Sequence, residues 1–227
     1  MLFGDEKKHF LEVKHLHELV AANTWIFGDH YQLTASEIDL TEVVRQHMKG
    51  AGYVVAVDEP IKNVGGRRGR VDLMLTRVLG EINHAREHLV IELKRPTVVA
   101  DSKVMSQVKE YAAALARTPR YLDTNTRWTF IAVTTDLNEM ATRETRQPNR
   151  PRGQLLVDPD QRFEVWLLTW SQIIEQCRSR MEYLKRAFEF DTSRVEGIAH
   201  LRSHYPDWMP PPPPPVKPKR QGRAKQA

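Results

Sequence analysis

Two carboxylates and one lysine lie where apolar strands would place them together. Asp72 interrupts the run Val71-Asp72-Leu73-Met74-Leu75, and Glu92 and Lys94 interrupt Leu89-Val90-Ile91-Glu92-Leu93-Lys94-Arg95-Pro96. Side chains alternate between the faces of a strand. Val71, Leu73 and Leu75 are therefore expected on one face with Asp72 on the other, and Leu89, Ile91 and Leu93 opposite Glu92 and Lys94. A hairpin whose loop centres near Ile82 sets Asp72 across from Glu92. Facing carboxylates repel unless something neutralises them, and a divalent cation does so. Magnesium suits the pair, because it takes hard oxygen ligands and retains several waters; Mn²⁺ is expected to substitute. The Leu93 carbonyl is a third candidate ligand, and the Lys94 ammonium is placed to orient a water and stabilise charge on a phosphoryl group. That is the equipment of metal-assisted phosphodiester hydrolysis.

The elements that must position these groups follow from periodicity. Phe10, Val13, Leu16, Leu19 and Val20 repeat at helical spacing between Asp5 and Ala22. A compact aromatic corner, Asn23 to Gly28, leads to Tyr31. A helix is predicted from Leu40 to Lys49, capped by Asp39 or Thr41, and a strand from Tyr53 to Val57. Asn63 to Arg70 is a glycine- and arginine-rich turn. Beyond Pro96, Asp101 or Ser102 caps a helix to about Arg117 whose inner face carries Val104, Val108, Tyr111, Ala112 and Leu115. Arg127–Thr134 and Phe163–Thr169 are predicted strands. Helices are predicted over Leu137–Arg146, Ser171–Phe188 and Arg194–His204. The order implies an α/β domain built on a central mixed β-sheet flanked by helices.

Composition limits the classes available. With 41% hydrophobic and 28% charged residues in 227, the chain has the usage of a globular protein. The lone cysteine, Cys177, excludes an internal disulfide and points to a reducing, cytoplasmic setting. No apolar run reaches the roughly 18 residues of a membrane span. Five basic residues behind the Pro210–Pro215 run account for the net charge of +5, so the body is neutral overall. Residues 1–209 are expected to form the globular unit and 210–227 a proline-rich, basic, disordered tail. Any nucleic-acid footprint on the body must come from local clusters such as Arg67, Arg68 and Arg70, with Arg95 beside the second strand. His9, His15 and His17 carry no zinc spacing and are read as helix surface.

Asp, a spacer of some twenty residues, then Glu-x-Lys at a strand end resembles the PD-(D/E)XK nuclease superfamily, with its restriction-endonuclease-like core. Val71 stands here where the family name has proline. Gln107 and Tyr111 resemble the Gln-x-x-x-Tyr motif of the recombination-nuclease branch, and four-residue spacing puts both on one helix face. There Gln107 would reach a water or a phosphate. A wider likeness, over residues of about 8 to 205, links His17-Glu18-Leu19, Asn23-Thr24-Trp25-Ile26-Phe27-Gly28, Arg70–Leu75 and Val90–Pro96 to the nuclease domain of Shedu-type antiphage proteins. That resemblance implies a Mg²⁺-dependent DNA endonuclease in bacterial defence, with Asp72, Glu92 and the Leu93 carbonyl at the metal and Glu18 as a further ligand. It also implies a regulatory or ATPase module in cis or in trans. Cutting both strands calls for two active sites, which argues for a homo-oligomer. The alternative is a DNA-docking or assembly module that keeps the nuclease fold without catalysis.

Overall fold

The computed structural model describes residues 13–50, 52, 61–62, 69–79, 86–117, 126–159, 162–188, 194–204 and 206. The predicted strand Tyr53–Val57, the hairpin loop around Ile82, Arg67, Arg68 and the proline tail lie outside them. Contacts divide the chain into Met1–Asp191 and Thr192–Ala227. The second unit contains α6 (Arg194–His204).

The first unit is built on a six-stranded mixed sheet. Its strands are β1 (Gln32–Asp39), β2 (Arg70–Val78), β3 (Arg86–Leu93), β5 (Thr126–Thr134), β7 (Gln154–Val157) and β8 (Phe163–Thr169), in the spatial order β1-β2-β3-β5-β8-β7. The β3, β5 and β8 strands are parallel, and the outer pairs antiparallel. Two short strands, β4 (Val99–Ala100) and β6 (Asp136–Leu137), pair separately. The helices are α1 (Val13–Ala22), α2 (Leu40–Gly50), α3 (Ser102–Ala116), α4 (Glu139–Glu144) and α5 (Trp170–Phe188).

A core lies on each face of the sheet, so its central strands read as apolar on both sides. One joins Leu40, Val43 and Val44 of α2 and Val104, Val108 and Tyr111 of α3 to Met74, Val90 and Phe130. The other packs Leu16 and Val20 of α1 and Ile173 of α5 on Leu73, Leu89, Ile91 and Val133. The caps are local. Asp101 accepts the N–H groups of Lys103 and Val104 to open α3, and Asp39 accepts that of Glu42 at 3.0 Å to open α2.

Strict alternation fails at one position. Val71 belongs to the core holding Met74 and Tyr111, not to that of Leu73 and Leu75. The β2–β3 ladder is recorded as far as Leu73↔Ile91. Beyond it the Leu93 N–H donates to Asp72 Oδ2 at 2.6 Å. A carboxylate thus stands where a strand carbonyl would, and the chain is released from the pleat there.

Candidate active site

Continuing the Leu73↔Ile91 register by one residue sets Asp72 opposite Glu92. Glu92 and Lys94 project from the end of β3 toward α3. The Lys94 N–H donates to the Val133 carbonyl at 2.9 Å, which anchors the strand end to β5. Lys94 Nζ donates to Glu92 Oε1 at 2.8 Å and to Gln107 Oε1 at 2.7 Å. The side chains of Lys94 and Glu92 are only 16% and 12% exposed, so this ion pair is shielded from bulk water. Gln107 Nε2 donates to Glu92 Oε1 at 2.8 Å and to the Tyr111 hydroxyl at 2.7 Å. Tyr111 donates its single proton to the Arg70 carbonyl at 2.8 Å. A chain of contacts therefore runs from β3 across α3 to the start of β2.

Hydrogen-bond inventory fixes the roles these groups can take. Both amide protons of Gln107 are engaged and its oxygen faces Lys94. Gln107 therefore orients Glu92 and Lys94, and it has no donor left for a phosphate. The ammonium of Lys94 has three N–H groups and uses two. Among the described residues nothing takes the third, which is left for a reacting group.

Electrostatics in the pocket oppose two full negative charges. Burial pushes the Asp72 carboxyl above its ordinary range, while the Leu93 N–H and the His17, Lys94 and Arg70 charges pull it back. Burial also raises Glu92, the Asp72 charge adds to the rise, and Lys94 and Gln107 offset part of it. Tyr111 is pushed well up by burial and by Glu92, so its hydroxyl stays a donor. Among the described residues no three of His, Cys, Asp and Glu gather as a metal cluster. Two half-buried carboxylates fit magnesium, which commonly takes one or two protein carboxylates and keeps its waters. They do not fit a closed zinc site.

The other expected residues fall into place unevenly. Among the described residues Glu18 on α1 makes no hydrogen bond to Asp72 or Glu92, whose positive neighbours are Lys94, His17 and Arg70. Its neighbour His17 is the residue that reaches the site. His17 is 7% exposed, on the inner stripe with Leu16 and Val20, and not on the helix surface. Its Nε2 lies 3.0 Å from the Asp72 carbonyl and 3.1 Å from Ser36 Oγ. Because a carbonyl only accepts, Nε2 carries the proton. The helical spacing of 13, 16, 17 and 20 was the available signal. Arg70 is exposed, paired with Glu37 at 2.9 Å, and still close enough to act on Asp72. Arg95 is exposed beside Lys94 in sequence. No described helix is long and apolar enough to cross a membrane.

No family model and no curated protein matches the chain. Among solved structures it is similar to a repair endonuclease from Pyrococcus abyssi, at 23% identity and a TM-score of 0.33. The match covers 56% of this chain and 39% of that one. So partial a superposition leaves function to be argued from the site itself.

Proposed function

We propose that the protein is a divalent-metal-dependent DNA endonuclease of the PD-(D/E)XK type, with a place in bacterial antiphage defence. One observation carries the chemical part of this reading: Asp72 accepts the Leu93 N–H next to Glu92, with Lys94 held against Glu92 and Gln107. The defence role rests on the Shedu resemblance of the sequence. Asp72 and Glu92 would hold Mg²⁺, or Mn²⁺ in its place, with the Leu93 carbonyl beside them. When bound, the cation supplies Lewis acidity toward a phosphoryl oxygen and lowers the pKa of water.

The chain's own residues do the remainder. Lys94 directs its third N–H at the reacting phosphate or water, from a site where little bulk water weakens the interaction. Gln107 keeps Lys94 and Glu92 from swinging toward solvent, and Tyr111 fixes Gln107. Arg70 and Arg95 offer exposed charge for neighbouring backbone phosphates.

The test is plasmid DNA incubated with Mg²⁺, Mn²⁺ or EDTA, using the parent chain and Lys94→Ala. Cleavage that EDTA stops, and that Lys94→Ala loses by at least a hundredfold, is the expected result. Equal nicking by Lys94→Ala removes the lysine from the mechanism. DNA binding without cleavage by the parent under any metal makes the protein a docking module.

A further inference from the structure

A second polar centre lies on the same sheet face, four residues along β2 from Asp72, or about 13 Å at the strand rise. A cleft of about 710 Å³ opens there, a size typical of small-molecule sites. Its floor is a continuous hydrogen-bonded row. Thr34 Oγ1 meets Thr76 Oγ1 at 2.6 Å, Thr76 meets His88 Nδ1 at 2.8 Å, and His88 Nε2 meets His47 Nδ1 at 2.6 Å. Both histidines are 2% exposed and pack against Trp128. Burial holds both imidazoles below their ordinary range, and the Arg86 charge adds to this, so at neutral pH the floor is polar but uncharged.

The walls supply the charge. Arg77 is occupied, paired with Glu87 and stacked 4.7 Å over the Tyr31 ring. Arg86 also lines the cleft and forms no ion pair among the described residues. No aspartate or glutamate is among the described lining residues. A guanidinium with no ion pair among the described residues, above a neutral donor-acceptor floor, is suited to an anion, and its planar fork matches phosphate. Beside it Val78, paired with Arg86 in the β2–β3 ladder, is 62% exposed and offers an apolar wall for a flat group. The Gln32 carboxamide lies within the same lining, where it can read a polar edge, while that of Gln46 donates to Glu42 at 2.8 Å.

We infer that this cleft binds a phosphate-bearing small molecule of nucleoside monophosphate size. Arg86 pairs its phosphate, and its base packs on Val78. The inference goes beyond the phosphodiesterase reading and does not depend on it.

Isothermal titration of the full chain in EDTA, where no turnover occurs, tests it with AMP, adenosine, inorganic phosphate and a single-stranded 12-mer DNA. Saturable 1:1 binding of AMP is expected, at least tenfold tighter than adenosine or phosphate. Arg86→Gln should weaken AMP at least tenfold. Gln32→Glu, which sets a carboxylate in an exposed part of the same wall, should do likewise without touching the core. Lys94→Ala and the distant Arg143→Gln should bind AMP as the parent does. Phosphate binding as tightly as AMP would reduce the cleft to a bare anion site and overturn the inference. So would a 12-mer binding far tighter than AMP through Arg86, which would make the cleft a nucleic-acid groove. Absence of AMP binding at millimolar concentration overturns it outright.

Discussion

Gly69 immediately precedes β2, and its replacement by alanine tests whether Tyr111 holds the site together. A Cβ built at Gly69 would stand 2.8 Å from Tyr111 Cε1, 3.1 Å from Cδ1 and 3.0 Å from Leu40 Cδ1. Carbon atoms pack at about 3.5 Å or more, so the ring must retreat by about 0.7 Å. The ring has little freedom to do so, since its hydroxyl is held at 2.7 Å by Gln107 and at 2.8 Å from the Arg70 carbonyl. Leu40 is fully buried and its N–H donates to the Gly69 carbonyl at 2.9 Å, so this backbone cannot drift either. Overpacking of this kind costs about 1–3 kcal/mol, and strain on a hydrogen bond up to about 1 kcal/mol more. A loss of about 2–3 kcal/mol is expected, which moves a urea midpoint by about 1 M at unchanged slope. Cleavage should fall by about tenfold to a hundredfold, because a displaced ring carries Gln107 and then Lys94 out of alignment. In a Tyr111→Leu chain the methyl meets a shorter side chain, and the further loss on adding Gly69→Ala should be smaller than in the parent. At Gly197, where a Cβ meets nothing within 4 Å, alanine should leave cleavage intact. Gly69→Ala with parental stability and parental cleavage would falsify the linkage of Gly69, Tyr111 and the carboxylates.

Asp72→Asn should raise stability without metal, since burial opposes the charged carboxyl and an asparagine oxygen can still accept the Leu93 N–H. The same variant should lose the stabilisation that saturating Mg²⁺ gives the parent, about 2.7 kcal/mol at one hundred times Kd, read as a rise in Tm. An identical Mg²⁺ shift in both would exclude Asp72 as a ligand. Tyr111→Phe removes the proton given to Arg70 and the acceptor for Gln107. It should cost about 1–2 kcal/mol and slow kcat by about tenfold with KM unchanged, read from steady-state cleavage of a labelled duplex. Acid sensitivity follows from His47, lowered from 6.5 to about 4. Between those values the unfolded imidazole binds a proton that the folded one refuses, so His47 makes stability fall as pH drops from 6.5 toward 4. Denaturation midpoints across that interval should show a shallower decline in His47→Gln.

The pair Asp72 and Glu92 was legible because two short-range rules agree: alternation selects the face, and the sum of paired residue numbers selects the partner. The hairpin centre at Ile82 gives the same register as Leu73↔Ile91 and Leu75↔Leu89. The strands β3, β5 and β8 were legible from their apolar runs. β1 was not, because Gln-Leu-Thr-Ala-Ser-Glu-Ile-Asp alternates over only its first five residues and none of the eight is buried. It is a strand because β2 supplies its ladder, and its Glu37 adopts φ 54°, outside strand geometry. β7 has only four residues and follows Gly153, whose φ of 98° and the 2.5 Å at which an added Cβ would meet Leu168 Cδ2 require glycine. The Val71 reading failed because alternation assumes an unbroken ladder. His47 and His88 were hidden for a different reason: they lie 41 residues apart and meet only through the packing of α2 on β3.

Charge accounting within the site explains why its parts belong together. Lys94 lies against Glu92 and balances one carboxylate. Asp72 has a backbone N–H, which carries no net charge, and a guanidinium at Arg70 that is shared with Glu37. Lys94 and a shared Arg70 thus leave the two ionised acids under-compensated, and burial amplifies the imbalance, as the rise of Glu92 by burial and by the Asp72 charge shows. A phosphodiester brings a further negative charge, so it meets repulsion from an unneutralised pocket. A divalent cation between the acids reverses that sign, whereas a second lysine would only cancel it. Gln107 is neutral for the same reason. A cation there would bind Glu92 too firmly to leave its oxygens for a metal, and an acid would deepen the deficit. The carboxamide orients both charged groups while leaving the balance to whatever binds between Asp72 and Glu92.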